Sequence, residues 1–289
     1  MDDLAQLEKV LFRFATSDTD EALEKTLAKH LTPSLSKLSS QDEAVRKKVM
    51  ELLVHVNKRV KNNDNIQLPM EALLEQYSNP SSTSFIINFS IIYIKIGFPR
   101  LPLERKIENI PSLLNCLEGK PASHQDSIIT MILPWLEHVK CPSENPQAKS
   151  SYLKLSKVVS KLFCDFLFDF LLLPYGSHPS IKPTDPQEKV KVPPGLSESA
   201  WKKVAGETLM KPELLEKVKA NVVKFLGNGL IDEKKVAMHL AVRVKYDGLD
   251  FFLIFFFSRS QWPIPGIVFQ PKVTQLCDDF REVLIGTTR

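Results

Sequence analysis

The chain has 289 residues, 43% of them hydrophobic, which can fill one large or two ordinary cores and excludes a wholly disordered protein. With 38 basic against 34 acidic side chains the net charge is +4, far from the concentrated positive charge of a dedicated nucleic-acid binder. Four scattered cysteines, Cys116, Cys141, Cys164 and Cys277, form no C-x-x-C pair, which argues against a zinc ribbon or a disulfide framework and fits a reducing compartment.

The opening MDDLAQLEKVLF starts with acids and lacks the basic and apolar regions of a signal peptide. Residues 2–15 predict a short helix with Leu4, Leu7, Leu11 and Phe14 inward, a cap over the first repeat. Two longer helices follow. The first, Asp20 to Leu38, carries Leu23, Leu27, Leu31, Leu35 and Leu38; the second, Asp42 to Val60, carries Val45, Val49, Leu52, Leu53, Val56 and Val60. The short polar link SSQD lets them lie antiparallel, and Asp42 suits the N-terminus of the second helix. Neither apolar stripe is hidden by one helix alone, so the unit is a hairpin that stacks on neighbours.

After the turn KNNDN, a short helix from Leu68 to Tyr77 begins at Pro69, where a missing N–H costs nothing. The run STSFIINFSIIYIKIGF is rich in isoleucine, but Phe85, Phe89, Ile92 and Ile96 keep helical spacing, so it predicts a helix ending at Gly97. A third pair spans Leu103 to Leu117 and Gln125 to Val139, split at GKPASH. A proline followed by apolar residues two and five places on recurs at Pro33, Pro111 and Pro134. Such self-similarity, in hairpins of roughly 40 to 47 residues, is the signature of a HEAT or armadillo α-solenoid, and the predicted class is all-α.

Ser150 to Leu173 predicts one strongly apolar helix, with Asp165 and Asp169 on its solvent side and too few uninterrupted apolar residues to span a bilayer. The composition of 174–199, rich in proline, lysine and small polar residues, predicts a flexible loop. Helices return at Ala200 to Ala205, at Pro212 to Leu226 with Leu214, Leu215, Val218, Val222 and Phe225, and near Asp232. From 242 to 289 the pattern stops: LDFFLIFFF resembles an aggregation-prone strand and is too short to cross a membrane, and the end IGTTR has no retention or prenylation motif. The expected map is a repeat array over 1–173, a loop over 174–199, an incomplete repeat over 200–241 and an atypical tail over 242–289.

No phosphate-cradling loop, dinucleotide motif, nucleophile elbow or H-E-x-x-H is present, so neither enzyme chemistry nor a cofactor is expected. His138 with Cys141 lacks the second ligand pair a metal needs, and His55, beside Lys58 and Arg59, suits a wet helix face. A candidate partner-binding surface is the basic cluster Arg46, Lys47, Lys48, Lys58, Arg59 and Lys61, which would steer an acidic protein. The mild basicity leaves a nucleic-acid-binding or transport-type helical-repeat adaptor as the alternative, distinguishable by steep salt dependence.

Consecutive segments carry a more specific signal. VRKKVMELLVHVNKR, IQLPMEALLEQY, INFSIIYIKIGFPRLPLE, LEGKPASHQDSI and FLFDFLLLPYG, with AWKKVAG after the loop, closely resemble in order the N-terminal portion of the proteasome adapter and scaffold family, from about Leu7 to Leu240. That resemblance implies a non-enzymatic HEAT-repeat scaffold that binds the 26S proteasome, through its regulatory and core particles. It further implies roles in assembly quality control and endoplasmic-reticulum-associated degradation, with endosomal, motor-protein and centrosomal partners. The expected location is cytoplasmic, extending to the endoplasmic reticulum, endosomes, centrosome and nucleus. The chain is far shorter than the family's members, and residues 242–289 do not resemble the family, which suggests a truncated product read from an alternative transcript.

Overall fold

The computed structural model describes residues 3–141, 145, 148, 151–174, 192, 193, 196–206 and 209–231, and every regular element among them is helical. The chain forms two compact units, Met1–Met131 and Ile132–Arg289.

The first unit holds α1 (Asp3–Ala15), α2 (Asp20–Ser36), α3 (Glu43–Lys61), α4 (Met70–Ser78), α5 (Ser84–Gly97), α6 (Leu103–Asn115) and α7 (Ala122–Ile132), the last running just past its boundary. The starts of α2 and α3 are set by side-chain caps: Thr19 accepts from the Ala22 N–H at 3.2 Å, and Asp42 from the Ala44 N–H at 2.8 Å. All five leucines of the α2 stripe, and the six apolar residues expected on α3, are buried. Pro33 and Pro111 lie inside α2 and α6, where each removes one backbone donor without ending its helix. Pro134 instead follows α7, in a 3₁₀ segment, Leu133–His138, so the third proline copy lies beyond the second helix of its pair and inside neither.

Successive hairpins are also joined by polar side chains about one repeat apart. Asn63 donates to Asp20 at 2.8 Å, the Gln67 N–H to Glu24 at 2.7 Å and the Gln76 amide to the Thr32 carbonyl at 2.9 Å, spanning 43, 43 and 44 positions. The Ser39 and Thr83 hydroxyls meet at 2.9 Å across 44 positions. These bonds fix the register in which the apolar stripes meet.

The second unit contains α8 (Lys157–Leu171), α9 (Glu198–Ala205) and α10 (Pro212–Leu226). Its core gathers Phe163, Phe166, Phe170, Trp201, Val218, Val222 and Phe225, with Phe163 set edge-on to Phe225 at 5.8 Å. α10 packs on the 3₁₀ segment: the buried Asn221 amide donates to the Pro134 carbonyl and Asn228 to the Val139 carbonyl, both at 3.0 Å.

Several expectations change. The helix expected from Ser150 is interrupted: Ser151 and Tyr152 are helical, Lys154 sits at φ +50°, and a new helix starts at Lys157, where the Ser156 hydroxyl accepts from the Val159 N–H at 3.2 Å. Asp165 lies near the surface and pairs with Lys161 at 2.9 Å, but Asp169 is buried, not on the solvent side. His55 is half-buried with its Nε2 enclosed, so it is not on a wet face. On α10, Leu214 points outward while the other four residues of its stripe are buried. The expected helix near Asp232 and the tail 242–289 lie outside the described residues, as does most of 174–199.

Candidate interaction surface

Of the six cations expected to form a partner-binding patch on α3, two turn inward. The Arg46 guanidinium donates to the Ser40 and Gln41 carbonyls at 2.7 and 3.0 Å. Arg59 donates to the Phe14 and Ser17 carbonyls at 2.7 and 2.5 Å, closing the end of α1. Lys47 pairs with Glu43 and Lys48 with Glu51, each at 2.8 Å; Glu51 raises the Lys48 pKa through that bond. Lys58 and Lys61 are exposed. Helical spacing puts Lys47, Lys58 and Lys61 on the outward face with Met50 and Val54, which are 42% and 65% exposed.

Arg59 is one case of a recurring device that residue types alone do not reveal. Arg100, from the turn after α5, donates to the carbonyls of Val60, Asn63 and Ile66 at 2.9, 3.0 and 3.2 Å, tying the last turn of α3 to the loop that follows it. Lys120 donates to the Tyr77 carbonyl in the last turn of α4 at 2.7 Å, with its ammonium 4.8 Å from the Tyr77 ring centre. In the second unit Lys219 donates to the Leu173 carbonyl just past α8. These bonds span 45 and 42, then 40, 37 and 34, then 43, then 46 positions. A helix C-terminus exposes unpaired carbonyls at the negative end of its dipole, and a cation about one repeat later answers them. The sequence signal was the spacing of Arg59 and Arg100, about one repeat apart.

The outward face of α5 was not anticipated. Ile86, Ser90, Ile91, Tyr93, Ile94 and Gly97 turn inward, and at Gly97 a Cβ would come within 2.8 Å of the Met70 sulfur and 3.0 Å of the Leu68 Cβ, so a larger residue would force these neighbours to shift. Phe85 and Ile92 are left 65% and 43% exposed, with Phe89 and Ile96 half-buried between and beyond them. Beside the first turns of α5, a half-open groove of about 750 Å³ is lined by Ile87 and Asn88, by Asn115 and Cys116 of the α6 end, and by Glu118 and Lys120.

Burial shifts the titratable groups near that groove toward their neutral forms. The Tyr77 hydroxyl meets the His124 Nδ1 at 3.3 Å, and burial raises the tyrosine's pKa, so it stays protonated. Burial likewise pushes the Cys116 thiol up to about 11, and its Sγ–H donates to the Leu113 carbonyl at 3.0 Å. The His124 pKa is lowered by burial and then by Lys120 and Lys95, which keeps the imidazole neutral. Among the described residues no group of three or more His, Cys, Asp or Glu side chains is placed to hold a metal, and no helix is long and apolar enough to cross a membrane.

Comparison with known proteins decides the family. The family described as "Proteasome component ECM29, N-terminal" matches residues 7–247. The chain belongs to the ECM29 family. It is 42% identical over 257 residues to the human proteasome adapter and scaffold protein ECM29, an alignment covering 83% of this chain and 14% of that relative. The Drosophila melanogaster proteasome-associated protein ECM29 homolog is 37% identical over 238 residues, and the Saccharomyces cerevisiae proteasome component ECM29 is 27% identical over 240. These cover 82% and 78% of this chain and 12% of each relative. The chain thus spans about an eighth of the length of the ECM29 proteins it matches. No solved structure matches it.

Proposed function

We propose that this chain is a non-catalytic scaffold segment that binds the 26S proteasome. The reading is carried by its 42% identity to a protein named as a proteasome adapter and scaffold. The all-helical fold supports it: helices such as α2 and α3 hide one stripe against neighbours and turn the other face outward, which favours long contact surfaces. The contact extends to the regulatory and core particles, and through it the protein serves proteasome assembly quality control and endoplasmic-reticulum-associated degradation. It works at the cytoplasmic side of the endoplasmic reticulum and of endosomes, at the centrosome and in the nucleus, where endosomal, motor and centrosomal proteins are its further partners.

The basic face of α3 steers the acidic partner. Arg46 and Arg59 hold the helix in place, Lys48 is half-buried against Glu51, and Lys47, Lys58 and Lys61 supply the outward charge. Immobilised chain should retain purified 26S proteasome, and reversing Lys47, Lys58 and Lys61 to Glu should lower the association rate. Unchanged association would remove the α3 face from the account, and failure of the unaltered chain to retain proteasome would overturn the function itself.

A further inference from the structure

We propose that the outward ridge of α5 docks an acidic amphipathic helix of the proteasome. This rests on the proteasome reading above and assigns the contact within it.

The ridge is built from Phe85, Phe89, Ile92 and Ile96, at spacings of four, three and four, which align them along one side of the helix over about 16 Å. A single exposed aromatic is ordinary, but Phe85 at 65% and Ile92 at 43% exposure belong to one continuous apolar strip, the kind of surface that marks a binding face. The spacing suits a helix laid alongside, whose own i, i+4, i+7 anchors would interdigitate with it.

The charge around the ridge selects the occupant. α5 contains no acidic residue, and its one charged side chain, Lys95, is exposed one turn beyond Ile92. Lys120 stands on the groove beside the first turns of α5, with Glu118 as the acid nearby. Lys120 is half-buried and turned onto the Tyr77 carbonyl and ring, so the exposed Lys95 is the cation that the ridge itself presents. A second copy of this chain would set Lys95 against a basic edge again, whereas a helix with an acidic flank would be attracted.

Affinity of the full chain for purified 26S proteasome, measured by biolayer interferometry, tests this. Phe85 and Ile92 are exposed, so Phe85→Glu/Ile92→Glu should leave the helical circular dichroism and its melting unchanged while weakening binding roughly tenfold or more. Lys95→Glu, a milder change at an exposed site, should weaken binding severalfold through a slower on-rate, an effect that fades at high salt. Wild-type affinity in both variants overturns the docking ridge and leaves proteasome binding standing. Absence of binding by the wild-type chain overturns both. A wild-type dimer in sedimentation that Phe85→Glu/Ile92→Glu disperses would show that a second copy is the occupant, against the proposal.

Discussion

Replacing Arg100 with alanine tests whether cations from later elements hold the helix ends. The Arg100 side chain is 11% exposed and serves the Val60 carbonyl in the last turn of α3, the Asn63 and Ile66 carbonyls of the turn that follows, and the Asp64 carboxylate at 3.1 Å. Asp64 is 93% exposed, so its ion pair contributes little. A charge-assisted bond to a shielded carbonyl contributes about 1.5–3 kcal/mol, and one guanidinium holding three of them is not worth three independent bonds. With partial rewetting after truncation, the expected loss is about 3 kcal/mol, equivalent to roughly a hundredfold in the local opening equilibrium. Amide hydrogen exchange over Val56–Asn62 should therefore accelerate by about that factor, with smaller changes in α1 and α6. Arg100→Lys should recover only part of the protection, since a single ammonium cannot fork to three acceptors. If Arg100→Ala leaves exchange at the α3 end within about threefold of wild type, the clamps are incidental and the reasoning fails.

Other perturbations follow from the same geometry. Gly97→Ala places a methyl 2.8 Å from the Met70 sulfur and 3.0 Å from the Leu68 Cβ, and should destabilise the α4–α5 packing by about 1–3 kcal/mol in urea denaturation. Asn221→Leu, which leaves the Pro134 carbonyl without its donor, should cost about 2 kcal/mol, read by thermal melting. Burial lowers the Lys219 pKa from 10.5 to about 8, so the unfolded chain binds more protons between those values. Stability of the second unit should therefore rise with pH from about 8 to 10.5, and Lys219→Met should remove that rise. Labelling by a thiol reagent at pH 8 should reach Cys141 before Cys116, whose thiol is buried and held near pKa 11.

Much of the first unit was legible because its stripes are pure. On α2 and α3 the leucines and valines recur with charges between them, so one period fixes both helix and buried face. α5 shows where that fails: isoleucine and phenylalanine occupy so much of its circumference that the helix is evident but its orientation is not. The buried side was chosen by Gly97 and Ser90, small enough for close approach to α4, and not by the residues that looked most apolar. The α3 cations misled for another reason. A guanidinium that bonds backbone carbonyls has partners at every residue of the chain, so residue types give no hint that Arg46 and Arg59 turn inward. Asp169 and His55 were placed by period alone, which locates a face but not its edges.

Binding of the full chain to purified 26S proteasome, titrated at rising salt with a nucleic-acid duplex in parallel, weighs the scaffold directly against its alternative. The account predicts saturable proteasome binding that weakens only modestly between 50 and 200 mM salt, roughly tenfold or less, and negligible duplex binding at the upper salt. Duplex binding that falls steeply with salt, on the order of a thousandfold over the same range, together with no saturable proteasome binding, would contradict it.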